Sequence, residues 1–142
     1  MSRILSLDLG EKNIGVAVSD PLGLTAQGVE VLRRQSLSGV LERIRQLIDE
    51  YGVEEIVLGL PRRMDGTLGE KAKEVLRFKD KLENFAGIKV TLWDERFSTV
   101  AARRALLEAD VSRKGRKKVI DKLAAVLILE GYLHFKSGKA GN

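Results

Sequence analysis

The spacing of apolar residues changes near residue 35, and this change narrows the folds that are open to the chain. Before it, three short runs rich in apolar and β-branched residues, 3–9, 13–20 and 25–33, are separated by turn-forming residues, which predicts three strands joined by tight turns. After it, apolar residues recur at helical spacing over 37–48 and Gly52 follows, which predicts a helix that ends there. We therefore expect β-hairpins in the first part of the chain and strands connected by helices in the second.

Strand and helix patterns alternate in the remainder of the chain. Residues 55–60 form a continuous apolar run that stops at Pro61, which is typical of a strand covered on both faces. The later patterns predict, in order, a helix at 69–85, a strand at 88–93, a helix at 98–109, a basic loop at 112–118, a helix at 119–135 and a frayed tail. The order predicts an α/β fold in one domain, 1–142, with a five-stranded mixed sheet of three antiparallel leading strands and two parallel strands, and helices on both faces.

Composition excludes several classes of protein. The chain has no cysteine, which excludes a disulfide framework and a thiolate metal site and is typical of a reducing compartment. Its N-terminal apolar stretch is short, is interrupted by Asp8 and lacks the pattern of a signal peptide, and no run is long enough to span a membrane. We expect a cytoplasmic protein with no membrane partner. The net charge is +5. A basic protein binds phosphate groups more often than an acidic one does.

Three carboxylates stand in places where an acid is unusual. Asp8 interrupts an apolar strand one residue before its end, and Glu95 follows the strand that ends at Trp93. Asp121 shares a helix face with the small and apolar residues that should press on the sheet, and burial there is costly unless a cation neutralises it. We expect the three acids to meet at one end of the sheet and to bind Mg²⁺ or Mn²⁺, which prefer oxygen ligands. Two such ions support phosphodiester cleavage without a cysteine, serine or histidine in the chemistry.

Each acid also has a simpler interpretation. Asp8 could cap a turn or take part in a salt bridge, and Glu95 could form an exposed ion pair with Arg96. Asp121 could be the N-cap of its helix or lie in the first turn, where it would complement the helix dipole. His134 is interpreted as a surface residue. Spacing alone does not bring the acids together, so the choice depends on the fold.

Four stretches of the chain resemble the landmark motifs of the YqgF/RuvX family. They read DLGEKNIGVAVSD, IVLGLPRRMDGT, DERFST and KKVIDKLAAVLILEGYL, and the resemblance runs from Ile4 to about Leu133. Members of this family are described as pre-16S rRNA nucleases or Holliday junction resolvases. The resemblance implies a ribonuclease H-like fold and a nuclease activity.

The resemblance also implies roles for the three acids. Asp8 corresponds to the metal-binding aspartate of the first strand, Glu95 matches the acid of the DERFST motif, and Asp121 matches the aspartate of the C-terminal helix. One departure concerns the fourth strand, where better-known ribonuclease H and resolvase sites carry an acid. This chain has Gly59 followed by Leu60 there, and its acid comes one strand later, which leaves a leaner set of three carboxylates.

Several polar and flexible residues are candidates for holding a nucleic-acid backbone. Gly10 and Gly15 would let the backbone approach a ligand near Asp8. The loop at 61–67 leads to a helix N-terminus, which favours phosphate binding, and the run at 113–118 holds five cations in six positions. The predicted phosphate-binding residues are Arg62, Arg63, Thr67, Arg96, Ser98, Thr99, Arg113, Lys114, Arg116, Lys117 and Lys118.

Some of these residues have alternatives too. Ser98 and Thr99 could instead cap a helix, and a basic run such as 113–118 is often only a solvated face. Aromatic residues make up 5% of the chain, which disfavours recognition by base stacking. We therefore expect recognition of backbone charge and shape.

These observations favour a metal-dependent endonuclease that acts on structured nucleic acid, with 5′-end processing of precursor 16S rRNA preferred over cleavage of branched DNA at a Holliday junction. Two other functions stay open from the sequence. One is a non-catalytic RNA-binding factor in ribosome assembly. The other is a nucleotide-binding phosphotransferase, since the first motif also resembles the phosphate loop of the actin, sugar-kinase and Hsp70 group. The sequence does not choose between a monomer and a homodimer.

Overall fold

The computed structural model describes the backbone of residues 3–97 and 115–140. The predicted helix at 98–109, and with it Ser98 and Thr99, lies outside the described residues, as do Arg113 and Lys114 of the basic run.

Five strands form one mixed sheet. They are β1 (Arg3–Leu9), β2 (Asn13–Ser19), β3 (Ala26–Arg33), β4 (Val53–Leu60) and β5 (Lys89–Asp94), and they lie in the order β3-β2-β1-β4-β5. β2 pairs antiparallel with both β1 and β3, whereas β4 pairs parallel with both β1 and β5. The predicted sheet is confirmed, with β4 in an interior position and its start two residues earlier than predicted.

The helices α1 (Leu37–Tyr51), α2 (Glu70–Ala86) and α3 (Gly115–Ala140) complete the described fold. α1 begins where the Ser36 hydroxyl accepts a hydrogen bond from the Gly39 amide at 3.1 Å, as an N-cap residue does. It ends at Gly52, whose φ of +65° is the left-handed conformation that glycine adopts without strain. These ends agree with the predicted helix.

The helices lie on both faces of the sheet, as predicted. The odd-numbered residues of β1, such as Leu5 and Leu7, pack in a large core with α1 and α2. The even-numbered residues face α3, because the Ser6 hydroxyl donates to the Ala125 carbonyl at 2.7 Å and alternate strand residues share a face. No helix within the described ranges is both long and apolar enough to cross a membrane.

The last helix is longer than predicted at both ends. α3 begins at Gly115 instead of residue 119, and it continues to Ala140 through a tail that we predicted to be frayed. Arginine and lysine are good helix formers, so the end of the basic run continues the helix instead of forming a loop. As a consequence Asp121 lies in the second turn, and the interpretation of it as a first-turn acid is wrong.

Candidate active site

Two glycines flank Asp8 in the sheet. Gly15 of β2 is its partner across the antiparallel pair, and Gly59 of β4 follows Leu58, the parallel partner of Leu7. Asp8 shares the α3 face with Ser6, so it lies between two positions that have no side chain on that face. We call Gly15, Asp8 and Gly59 the glycine row.

Asp121 lies against the β2 side of the glycine row. A Cβ atom placed on Gly15 would clash with the backbone carbonyl oxygen of Asp121, so the helix backbone rests directly on this glycine. A Cβ atom on Gly10 would be 3.7 Å from Oδ1 of Asp121. The Asp121 carboxylate therefore lies beside the turn between β1 and β2, close to the end of the strand that carries Asp8.

Glu95 reaches the β4 side of the same row. It begins a 3₁₀ turn, Glu95–Phe97, directly after β5, and its Oε2 would be 2.8 Å from a Cβ atom placed on Gly59. The carboxylate of the next strand thus occupies space that a side chain on β4 would need. This contact gives a physical reason for a glycine at position 59, one residue before the end of β4.

The three predicted acids therefore gather at one end of the sheet, and all of them are buried. Asp8, Glu95 and Asp121 are 4%, 5% and 7% exposed. The interpretation of Glu95 as half of an exposed ion pair with Arg96 is wrong, because Glu95 is buried and Arg96 bonds to Asp94 instead. Carboxylate oxygens such as these are the ligands that hard divalent cations prefer.

The donor set fits a hard divalent cation, although no cage is preformed. Among the residues that the structure describes, no group of three or more histidine, aspartate or glutamate side chains is arranged to hold a metal ion. Mg²⁺ commonly uses one or two carboxylates and takes its other ligands from water and from substrate phosphate. The oxygen donors beside the glycine row fit that pattern, in which the nucleic acid completes the coordination.

Asp94, the last residue of β5, holds two arginines at this edge of the sheet. Its carboxylate accepts hydrogen bonds from the Arg96 guanidinium, the shortest at 2.9 Å, and lies 3.6 Å from Nε of Arg62. The hydrogen bonds from the Arg96 side chain, followed by its backbone amide and the charges of Arg96 and Arg62, keep the pKa of Asp94 below its ordinary value although burial opposes them. Two of the predicted phosphate-binding arginines are thus tied to the strand that leads to Glu95.

The loop at 61–67 carries the third arginine of the group. The Arg63 guanidinium lies over Gly69 at the start of α2, where a Cβ atom would be 3.2 Å from its Nε. Thr67 donates from both its amide and its hydroxyl to Asp65, which closes the turn locally. The phosphate-binding role of Thr67 stays a prediction, and its hydroxyl already has this intramolecular acceptor.

Arg34 lies at the edge of the site, although no sequence pattern predicts it there. Its Nη1 donates to the Gly10 carbonyl at 2.6 Å, and its Nη2 lies 3.2 Å from Oε2 of Glu74 on α2. Burial raises the pKa of Glu74, but the hydrogen bond and charge of Arg34 outweigh it and leave that pKa below its ordinary value. The contacts join residues 24 and 40 positions apart, so no local pattern predicts them, whereas a glycine such as Gly59 inside a strand does indicate a close approach.

The basic run and His134 complete the set of predicted residues. Arg116, Lys117 and Lys118 lie on the first turn of the α3 backbone, and their side chains, like Arg113 and Lys114, are outside the described part of the chain. Their phosphate-binding role stays a prediction. His134 is exposed, which agrees with its interpretation as a surface residue.

Comparisons with known sequences agree on one family. A profile of the RuvX family, described as Holliday junction resolvase, matches residues 2–135. The chain is 56% identical over 135 residues to a protein of Carboxydothermus hydrogenoformans named "Putative pre-16S rRNA nuclease", which covers 95% of this chain and 98% of the relative. It is 53% identical over 131 residues to a protein of the same name from Clostridium botulinum, over 92% of this chain and 96% of the relative.

Solved structures with a similar fold include two resolvases. RuvC of Thermus thermophilus in complex with a Holliday junction substrate superposes with a TM-score of 0.60 at 15% identity, over 96% of this chain and 98% of that one. The Holliday junction resolvase of fowlpox virus gives a TM-score of 0.50 at 15% identity, over 95% and 98% of the two chains. At this identity the likeness concerns the fold alone, and it confirms the predicted ribonuclease H-like architecture.

Proposed function

Since the chain belongs to the RuvX family, we propose that it is a metal-dependent endonuclease that processes the 5′ end of precursor 16S rRNA. The observation that carries this proposal is the gathering of Asp8, Glu95 and Asp121, all buried, beside the glycine row. The rRNA substrate is taken from the names of the relatives at 53% and 56% identity.

The three acids are proposed as the ligands of Mg²⁺ or Mn²⁺. Asp8 provides a fixed carboxylate on the central strand, while Glu95 and Asp121 approach from the β5 turn and from α3. Bound in pairs, such ions lower the pKa of an attacking water and offset the charge on the leaving oxygen. The two-ion form of this chemistry is part of the proposal.

The role of the protein itself is to hold the nucleic-acid backbone beside these carboxylates. Arg62, Arg63 and Arg96 lie at the edge that carries Glu95, where guanidinium groups can bind phosphate through paired N–H donors. Arg34 holds the Gly10 turn in place next to Asp8. The basic run at 113–118 adds charge before α3, which strengthens the attraction to any polyanion.

A second candidate is resolution of Holliday junctions, which the description of the family profile favours. A resolvase must cut two strands related by symmetry, so this function needs a symmetric dimer. The oligomeric state is therefore a discriminating measurement, with a monomer favouring the rRNA substrate. A cytoplasmic location is proposed for either function.

The proposal is tested by incubating the pure protein with a precursor 16S rRNA fragment and with a synthetic four-way junction, each with and without Mn²⁺. We expect cleavage of the rRNA only with the ion. Asp8→Asn should lower the cleavage rate by at least about 100-fold, because a metal ligand is lost, while the Kd for RNA changes by less than about twofold. Asp20→Asn is the matched control, since Asp20 bonds only within the turn at the opposite end of β2 in the contacts described.

The alternatives predict different results. Normal cleavage by Asp8→Asn would refute the role of Asp8. RNA binding without cleavage at any metal concentration would favour the non-catalytic assembly factor. Nucleotide binding detected by calorimetry would favour a phosphotransferase.

A further inference from the structure

Asp94 connects the two loops that follow β4 and β5. It ends β5 opposite Leu60, the last residue of β4, and its side chain is only 13% exposed, whereas those of Arg62 and Arg96 are 38% and 29% exposed. A nearly buried carboxylate thus faces two guanidinium groups that remain accessible to solvent. In this arrangement the carboxylate acts as a fixed anchor and the arginines as its outward-facing partners.

The contacts with Arg96 fix both a side chain and a turn. Nε of Arg96 is 3.2 Å from both carboxylate oxygens of Asp94, and Nη2 is 2.9 Å from Oδ2. The Arg96 backbone amide also donates to Oδ1 of Asp94 at 3.0 Å, which closes the 3₁₀ turn that begins with Glu95. The same carboxylate therefore orients the arginine and holds the turn that directs Glu95 toward Gly59.

The link extends to the loop at 61–67. Arg62 approaches Asp94 from this loop at 3.6 Å. In the other direction, Nη1 of Arg96 is 3.4 Å from the Met64 carbonyl and would lie 3.2 Å from a Cβ atom on Gly66. Gly66 has a φ of +90°, a conformation that a side chain would strain, so the turn stays open for the guanidinium.

We infer that Asp94 is a positioning residue for the nuclease reaction: it holds Arg62 and Arg96 where they bind substrate phosphate, and it fixes the turn that places Glu95. This inference rests on the proposed nuclease function. The two parts of the role depend on different properties of the side chain. Holding the arginines requires the negative charge, whereas closing the turn requires only an oxygen acceptor at Oδ1.

Two substitutions separate these parts. Asp94→Asn keeps the shape and the acceptor but removes the charge, so it should raise the Kd and the KM for the precursor rRNA fragment about tenfold, with kcat changed less than about twofold. Asp94→Ala removes both properties, so it should raise KM similarly and also lower kcat by about tenfold or more. Kd is measured in an Asp8→Asn background, where cleavage does not interfere. Glu30→Gln is the matched control. It removes the charge of an ion pair that lies away from the site, in which Arg43 and Glu30 are 2.7 Å apart, and it should leave Kd, KM and kcat unchanged.

The salt dependence of binding identifies the mechanism. Fewer ordered phosphate contacts should make the slope of log Kd against log salt concentration shallower by about 1 in Asp94→Asn, a change that a merely structural role would not produce. Unchanged or tighter binding, or a steeper slope, would overturn the inference about the arginines. Equal kcat values for Asp94→Asn and Asp94→Ala would overturn the inference about Glu95. If Asp94→Ala does not fold, Asp94→Leu supplies the comparison, because leucine has nearly the shape of asparagine but no hydrogen-bond acceptor. Weaker binding by Asp94→Asn in a protein that cleaves nothing would refute the nuclease function and leave Asp94 as a binding residue.

Discussion

At the scale of single residues, the absence of side chains shapes the site as much as their presence. Gly15 lets the α3 backbone rest on β2, and Gly59 leaves room for the Glu95 carboxylate. Asp8 lies between them with its carboxylate on the same face. Glycine inside a strand lowers its stability, so two such positions around one buried acid indicate that close approach is the property being used.

Gly59→Ala tests whether this room matters to the reaction. The new methyl group would lie 2.8 Å from Oε2 of Glu95 and 2.6 Å from Cδ1 of Ile128. Since the Ile128 side chain can rotate away more easily than the strand can move, we expect a moderate loss of stability, about 1–2 kcal/mol, and a fall in kcat of about tenfold or more because Glu95 is displaced. Denaturation curves and steady-state kinetics measure the two effects.

Gly138→Ala is the control for that substitution. Gly138 lies near the C-terminal end of α3, and a Cβ atom there meets nothing within 4 Å, so the change should leave activity as it is and stabilise the helix slightly. Full activity in Gly59→Ala would mean that the position of Glu95 beside Gly59 is not needed for cleavage.

At the scale of elements, α3 is held to the sheet by close backbone packing at one end of its buried stretch and by a hydrogen bond at the other. Asp121 lies over Gly15, and about three turns later the Tyr132 hydroxyl donates to Glu55 at 2.6 Å. Thr91 of β5 donates to the same oxygen at 2.6 Å. Burial opposes ionisation of Glu55, but these hydrogen bonds and the charges of two lysines outweigh it and lower its pKa. The carboxylate therefore stabilises the fold above its ordinary pKa and less as the pH falls below it.

Tyr132→Phe tests this anchor through its pH dependence. Burial, with the hydrogen bond and charge of Glu55, raises the pKa of Tyr132 from 10.0 to about 12. Below pH 10 the hydroxyl is protonated in both the folded and the unfolded chain, so its bond contributes fully. Between pH 10 and 12 the unfolded chain loses the proton first, and the contribution declines. We expect wild type to exceed Tyr132→Phe by about 1–2 kcal/mol in free energy of unfolding at pH 8 and by clearly less at pH 11, measured by urea denaturation.

Thr91→Val is the matched control for this prediction. It removes a hydrogen bond to the same Glu55 oxygen without removing an ionisable group. Its cost should therefore be similar at the two pH values. A difference between wild type and Tyr132→Phe that does not change from pH 8 to pH 11 would contradict the proposed role of the hydroxyl.

At the scale of the whole molecule, the periodicity of the sequence predicts the topology better than the site. The change from strand to helix spacing gave the order of elements and the mixed sheet, because each pattern depends on which face of an element is buried. The predicted start of α3 at residue 119 was wrong, because the basic residues before it are compatible with both a loop and a helix. Contacts such as Arg34 with Gly10 join distant parts of the chain, so they follow from the packing of the sheet and not from any local pattern.

The proximity of the three acids could be predicted from the sequence only in part. Asp8 and Glu95 could be placed at one edge of the sheet because parallel strands end together. Their actual proximity depends on two strand glycines and on the height at which α3 crosses β2. The family resemblance supplied the roles of the three acids, and their gathering supplies a physical basis for them.

The most direct test of the proposed metal-dependent centre is a crystal of the wild-type protein grown with Mn²⁺ and a non-cleavable nucleic-acid fragment. We expect an anomalous manganese peak within coordination distance, about 2.0–2.3 Å, of Asp8 and of at least one of Glu95 and Asp121. A map with no manganese at the glycine row, while the nucleic acid lies across it, would refute the binding of a metal ion by these acids.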